Sequence, residues 1–304
     1  MADVLKDLSD GLASMVERAG PSVVRVEGRR RGPSSGVVWS DGVIVTCSHV
    51  LEWEEGIEIG LPDGRTAKAN VVGRDPGTDL AALKTDAPGL TPAAWREPDA
   101  LQAGHLVVSL SRPGQRVRAG LGIVTVRGDA WWTPAGGRLD SDVRVDIGLH
   151  PGFSGSLLVD AAGGAVGLNT AGLVRGAPTL VPTATIRRVV TALVTHGHLR
   201  RGFLGIGTQG VRLPADLAAS LGQSSALLIV NVLPDTPAAK AGLILGDALV
   251  SLDGHPLRHP GDLLPLLDEE RIGREAALKV LRAGRVEEHR VTVGEPPQGD
   301  EAKR

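Results

Sequence analysis

The sequence predicts a mainly β protein in two parts: a strand-rich barrel or sandwich domain, then a smaller α+β unit. Three observations carry this. The chain has 304 residues, enough for two domains of roughly 150 residues each. Gly at 41 and Pro at 20 imply many turns, which favours β structure over helical bundles. About a dozen short β-type runs, separated by turn signals, fill the first two thirds of the chain.

The elements follow in order. Val4, Leu5, Leu8, Leu12, Met15 and Val16 recur at helical spacing before Gly20-Pro21, so residues 3–18 form an amphipathic helix within an N-terminal segment, 1–20. Strands are expected at 23–26, 36–39, 43–46, 57–61, 67–72, 80–84, 106–110, 120–126, 143–145, 156–159 and 166–169. Ser40-Asp41-Gly42, Pro62-Asp63-Gly64, Asp75-Pro76-Gly77 and Ala162-Gly163-Gly164 supply turns between them. After Pro182, the residues Ile186, Val189, Val190, Leu193 and Val194 form a helical stripe that Gly197 ends. This closes a first domain at 21–197. Residues 198–202 read as a basic linker. A second domain at 203–294 has strands near 203–208, 226–232, 247–252, 276–282 and 286–293, with helices near 236–241 and 260–268. The polar segment 295–304 reads as a disordered tail.

Composition excludes several function classes. Lys+Arg is 33 against 35 Asp+Glu, a net charge of −2, which argues against a nucleic-acid surface. Five Trp, two Phe and no Tyr are too few for a base-stacking platform. A single Cys rules out a disulfide framework or a Cys-rich zinc module. His196 with His198, and His255 with His259, lack a completing Cys or acid cluster, so no metal or other cofactor is expected. No run approaches the ~20 apolar residues of a membrane span. Residues 1–20 carry six charges and no apolar leader core, so the expected location is the cytoplasm, or outside it if the chain is trimmed.

The chemistry candidates are three. Gly152-Phe153-Ser154-Gly155-Ser156 sets a serine in a glycine turn, where successive N–H groups can converge on a developing oxyanion. His49, in Thr46-Cys47-Ser48-His49-Val50, sits where an apolar strand ends. Asp79 opens the apolar run Leu80-Ala81-Ala82-Leu83, where burial demands a partner for its charge. The rival acid, Asp75, lies in Asp-Pro-Gly, which suits a turn role. The order His49, Asp79, Ser154 is that of chymotrypsin-type triads, with gaps long enough for two β-barrels to bring them together.

These motifs resemble the HtrA (DegP-like) serine proteases. Thr46-Cys47-Ser48-His49-Val50 is similar to that family's Thr-Asn-x-His-Val. Asp79-Leu80-Ala81-Ala82-Leu83-Lys84 matches its Asp-Leu-Ala-x-Leu-Lys, and Gly152-Phe153-Ser154-Gly155-Ser156 resembles its Gly-Asn-Ser-Gly-Gly but departs from it at Phe153 and Ser156. Gly167-Leu168-Asn169-Thr170 resembles Gly-Ile-Asn-Thr. Asp235 to Leu243, Gly246-Asp247 and Asp253-Gly254 look like a bacterial PDZ signature. The resemblance implies a chymotrypsin-like double β-barrel followed by a PDZ domain. It implies that Ser154, His49 and Asp79 hydrolyse peptide bonds of unfolded or misfolded proteins, with an oxyanion hole at Gly152, Phe153 and Ser154. It implies a substrate pocket near Asn169 and Thr170 for small or medium aliphatic side chains. Phe203, Leu204, Gly205 and Ile206 would bind a peptide carboxylate. It also implies a homotrimer, although residues 3–18 contain no Phe, Tyr or Trp for N-terminal contacts, and the oligomeric state stays open.

Two readings compete with the active protease: a weak or inactive protease-like chaperone, and a PDZ scaffold. Phe153, in place of a polar residue, sharpens the question. The oxyanion hole is either rebuilt by packing Phe153 or collapsed until ligand binds. Trp131-Trp132, in the polar loop 127–142, is either the loop's own cover or a contact surface. Gly205 to Gly210 also fits G-x-G-x-x-G, but Pro214 and the weak helix after it do not fit a dinucleotide site.

Overall fold

The structure, a computed structural model, describes residues 2–148, 150–174 and 177–296. It divides into two units, Met1–Leu199 and Arg200–Arg304. Most of the expected tail, residues 297–304, lies outside the described residues.

The first unit opens with α1 (Ala2–Ala19) and then builds β1 (Val23–Glu27), β2 (Ser34–Ser40), β3 (Val43–Cys47), β4 (Ile57–Gly60), β5 (Thr66–Asp75) and β6 (Leu80–Lys84). These six close into an antiparallel barrel in the order β1-β2-β3-β6-β5-β4, leaving no free sheet edge. A second set follows: β7 (Leu106–Ser111), β8 (Arg118–Gly128), the short pair β9 (Trp131–Trp132) and β10 (Arg138–Leu139), then β11 (Asp142–Asp146), β12 (Ser156–Asp160), β13 (Ala165–Val174) and β14 (Ala177–Pro182). Apart from the β9–β10 hairpin they close a second barrel, β11-β14-β13-β12-β7-β8. The mainly β class and the double barrel are those expected.

Strand alternation explains how the second barrel serves two cores. On β7, Val107 packs inside the barrel with Val124, Leu158 and Leu180, while Val108 and Leu110 join the large cluster built on the first barrel. Helix α2 (Thr183–His196) adds Ile186, Val189, Val190 and Leu193 to that large cluster and ends at Gly197 in a left-handed cap. Met15 of α1 is buried there too, while Val4, Leu5 and Leu8 remain exposed.

Several strands differ in extent from expectation, β13 and β14 among them. β13 runs on to Val174, and β14 had no counterpart in the sequence reading. Pro178 and Pro182 hid β14, since proline cannot donate to a ladder; here they flank and close it.

The second unit has β15 (Ile206–Arg212), α3 (Ala215–Leu221), β16 (Ser225–Val232), α4 (Pro237–Lys240), β17 (Ala248–Leu252), β18 (His255–Pro256), α5 (Pro260–Leu263), β19 (Glu275–Arg282) and β20 (Arg285–Thr292). Its sheet order is β15-β16-β17-β19-β20, with β18 beside β17, around a core of Leu227, Leu249, Leu252, Leu278 and Val280. The first strand starts at Ile206 rather than near 203 because Phe203 instead bridges to Gly294. Gly207 and Gly210 lie within β15, so the glycines do not open a helix as a dinucleotide site requires; α3 begins only at Ala215. His259 caps α5 in a capping box with Asp262. No described helix is long and apolar enough to cross a membrane.

Candidate active site

The first barrel supplies an imidazole and a carboxylate. His49 lies in the 3-10 turn Ser48–Val50 directly after β3, half-exposed. Asp79 precedes β6 and is buried. Its carboxylate takes both ends of His49: Oδ1 accepts the backbone N–H at 2.9 Å, and Oδ2 pairs with Nδ1 at 2.7 Å. This fixes the ring's orientation and leaves Nε2 as its free face. Asp79 has φ +57°, an uncommon left-handed conformation for a residue other than glycine. Asp75 builds the turn that imposes it. Its buried carboxylate accepts from the Gly77 and Thr78 N–H groups and from the Thr78 hydroxyl. Asp75 is thus the turn former and Asp79 the partner of His49.

The β9–β10 hairpin braces that turn. Thr133 Oγ1 donates to the Gly77 carbonyl at 2.7 Å and accepts from the Gly137 N–H at 3.0 Å. Its tip, Pro134 and Ala135, forms one wall of a cleft of about 450 Å³ whose other walls include His49, Pro76, Gly172 and Leu173.

The second barrel supplies the serine. Ser154 sits in the turn before β12, between Gly152 (φ +85°) and Gly155 (φ +83°). A Cβ on Gly152 would overlap the Pro113 ring, so this position needs glycine for space as well as for backbone conformation. The Phe153 N–H donates to the His150 carbonyl at 2.9 Å, and the Gly155 N–H to the Asn169 carbonyl at 2.9 Å. The N–H groups of Gly152 and Ser154 have no acceptor among the described residues. Of the three residues expected at the oxyanion hole, Phe153 therefore has its N–H engaged. Its side chain is buried among Leu101, Val107, Val145 and Leu180, with His150 edge-on at 5.9 Å.

Three consecutive residues of β13 join the two halves. Thr170 Oγ1 donates to Asp79 Oδ2. The Ala171 N–H donates to Ser154 Oγ at 3.3 Å. Gly172 lies flush against the imidazole, where a Cβ would be 2.5 Å from His49 Nδ1. His49 and Asp79 line that cleft, and β13 ties Ser154 to the same groups, its Oγ accepting from Ala171 and making no hydrogen bond to His49 among the described residues.

Asn169, expected near the substrate pocket, is fully buried. Its Nδ2 donates to the hydroxyls of Ser109 and Ser156 at 3.2 and 3.1 Å, and its Oδ1 has no partner among the described residues. Cys47 is also fully buried, 3.6 Å from the Asn169 carbonyl. Burial, and then the charge of Asp79, push its thiol well above its ordinary value, so it is neutral and unreactive. Among the described residues, Cys47, His49 and Asp79 are the only trio of ligand-type side chains close enough to hold a metal. The paired histidines expected to be surface residues form no such group.

In the second unit, the Phe203 N–H donates to the Gly294 carbonyl at 2.8 Å, while the N–H groups of Leu204 and Gly205 have no acceptor among the described residues. Ile206 begins β15, an edge strand with α5 alongside: Pro260 Cδ is 3.8 Å from the Cβ position on Gly210.

Residues the sequence reading passed over are Ala171, Gly172, Ser34 and Ser35. The partners of Ser34 and Ser35 are more than a hundred residues away, so no local signal marks these two.

Comparison with known proteins gives a consistent picture. The trypsin-like peptidase domain family matches residues 34–168 and the PDZ domain family residues 202–293. A probable periplasmic serine endoprotease DegP-like of Brucella suis biovar 1 (strain 1330) is 32% identical over 86% of this chain and 52% of its own length. A protein of the same name from Pseudomonas savastanoi pv. phaseolicola (strain 1448A / Race 6) is 32% identical over 98% of this chain and 65% of its own. The chain thus spans about half the length of the first of these curated relatives. Among solved structures, the HtrA-type protease AlgWS227A with decapeptide superposes with a TM-score of 0.76 at 27% identity, covering 95% of this chain and 98% of that one. The serine endoprotease from Yersinia pestis gives 0.72 at 28%, covering 93% and 97%. The periplasmic relatives overturn the expectation of a cytoplasmic chain. That expectation rested on the absence of an apolar leader in residues 1–20, which carries no such conclusion.

Proposed function

This chain belongs to the HtrA family of serine proteases with one PDZ unit, and from that premise we propose that it hydrolyses peptide bonds of unfolded proteins outside the cytoplasm. Ser154 Oγ attacks the scissile carbonyl carbon while His49 Nε2 takes its proton. The carbonyl oxygen becomes an oxyanion between the Gly152 and Ser154 N–H groups. When the tetrahedral intermediate collapses, the C–N bond breaks and His49 returns the proton to the leaving amine, leaving an acyl-serine. Water, deprotonated by the same imidazole, then releases the acid and restores the hydroxyl. Asp79 holds the tautomer throughout. The family likeness implies a preference for a small or medium aliphatic side chain, and Asn169 and Thr170, both fully buried, support the pocket from beneath β13 rather than touching the substrate.

The observation that carries this reading is the alignment on β13. One strand bonds the acid through Thr170, receives the serine through Ala171 and leaves the imidazole room at Gly172. A peptide C-terminus adds to the edge of β15, with its carboxylate at the Leu204 and Gly205 N–H groups. A homotrimer remains part of the proposal, and the exposed Val4, Leu5 and Leu8 support self-association.

One observation favours the second reading, a protease-like chaperone or scaffold. Ser154 Oγ accepts from Ala171 and makes no hydrogen bond to His49 among the described residues, so the Ser154–His49 contact must form before the serine can react. Incubation of an unfolded model protein with wild type and with Ser154→Ala, with and without a C-terminal peptide, separates the two. Wild type should cut after aliphatic residues, and the variant should lose about 10⁶ in rate. If neither cuts under either condition, the chaperone or scaffold reading replaces the protease.

A further inference from the structure

Two hydroxyls that the proposed chemistry does not use reach the nucleophile turn from the other barrel. Ser34 and Ser35, on β2, are fully buried. Ser34 Oγ donates to the Ser154 carbonyl at 2.6 Å, and Ser35 Oγ to the Gly152 carbonyl at 2.8 Å. The Ser35 backbone N–H adds a second bond to the Ser154 carbonyl at 3.2 Å. The Ser35 rotor is directed as well. The Arg112 N–H occupies a lone pair of its Oγ at 2.9 Å, so the hydroxyl hydrogen is left for Gly152. Arg112 is itself locked, with its buried guanidinium donating to the carbonyls of Val23, Gln115 and Gly20 at 2.6, 2.7 and 3.0 Å.

Each peptide plane in the turn has two polar handles. In the plane joining 152 and 153, Ser35 holds the C=O and the His150 carbonyl takes the N–H. In the plane joining 154 and 155, Ser34 and Ser35 hold the C=O and the Asn169 carbonyl takes the N–H. The plane between them has its C=O held by the Ser156 N–H at 2.9 Å, so the Ser154 N–H must point the opposite way. The two planes gripped from β2 thus flank the plane that carries the Ser154 N–H, and the grip on the Gly152 carbonyl holds the residue whose own N–H, like that of Ser154, has no acceptor among the described residues.

We propose that Ser34 and Ser35 are positioning residues, which act through the Ser154 and Gly152 carbonyls to aim the Ser154 and Gly152 N–H groups at the developing oxyanion; this rests on the hydrolytic reading above. The test compares Ser34→Ala, Ser35→Ala and Thr85→Val. Thr85 is a buried hydroxyl that donates to the Lys68 carbonyl at 2.7 Å, at the end of β6 away from Asp79. Thr85→Val therefore reports the cost of losing a buried hydroxyl bond without touching the turn. Four quantities are read: kcat and KM on an aliphatic peptide anilide, affinity for a peptide boronate, labelling of Ser154 by a fluorophosphonate, and Tm.

Ser35→Ala should lower kcat and boronate affinity by up to about 10²-fold with KM within about twofold, while Thr85→Val loses Tm alone. Ser34→Ala, whose carbonyl keeps the Ser35 N–H, serves if Ser35→Ala does not fold. If kcat and boronate affinity stay within about twofold of wild type in both serine variants, the positioning role is overturned. It is also overturned if they fall only as far as Thr85→Val makes them fall. If wild type is inert to the fluorophosphonate even with a saturating C-terminal peptide, the hydrolytic reading fails, and this proposal fails with it.

Discussion

At Gly172 the chain has no room for one more carbon. A Cβ there would lie 2.5 Å from His49 Nδ1 and 2.7 Å from Asp79 Oδ2. The strand cannot step back, because the preceding residues, Thr170 and Ala171, bond Asp79 and Ser154. Gly172→Ala must therefore prise the imidazole from its carboxylate or lift β13 from the serine. Either displacement should cost about 10²-fold in kcat/KM while the unfolding midpoint moves little, since the added methyl sits at the cleft rather than in the core. Steady-state kinetics beside a urea melt checks this, and unchanged kcat/KM would mean that the His49–Asp79 geometry tolerates distortion. Cys47, fully buried beneath the same groups, contributes packing rather than chemistry.

At the scale of elements, the nucleophile turn is anchored by an apolar side chain. Phe153 is 3% exposed within the second barrel's core, so its side chain packs beneath the turn. Phe153→Asn would put an amide among Leu, Val and Ile side chains. It should cost about 3–5 kcal/mol and slow fluorophosphonate labelling of Ser154, while Phe153→Leu keeps most of both. If Phe153→Asn labels at the wild-type rate, the side chain does not control the turn. The triad positions were legible because each stands at a strand end or turn with a local signature. The mainly β class was legible in the short apolar runs between turns, and the double barrel through the family resemblance. The extension of β13 and the whole of β14 were not, because Pro178, Pro182 and the glycines read as loop, and only barrel closure makes strands of them. The carbonyl grips of Ser34 and Ser35 were hidden for a different reason. Their partners lie 120 and 117 residues away, and nothing local encodes such a pairing.

At the scale of the whole molecule, the second unit carries its own acid sensitivity. Burial alone would raise the Asp247 carboxyl, but Arg282 and the Ile244 N–H outweigh it and hold the group below its ordinary value. The Ala277 N–H holds Asp253 low in the same way, with Arg271 adding to it against burial. The folded unit therefore binds fewer protons than the unfolded chain in acid. Its contribution from these groups is complete above about pH 4 and is lost as the pH falls through the lowered folded values. Asp247→Asn should cost about 2 kcal/mol at pH 7, and the gap should narrow toward pH 3. Hydrogen exchange of β16 and β17 under urea reads both, and a gap that does not change with pH would refute the linkage. The division of the site between two barrels also has a consequence during synthesis. The ribosome delivers His49 and Asp79 in the first barrel long before Ser154, and the barrel that carries Ser154 is closed only by β14 (Ala177–Pro182), which pairs with both β11 and β13. A nascent chain halted short of Pro182 holds a base and an acid with no finished turn to serve, so competence arrives late and all at once, when the last strand is released.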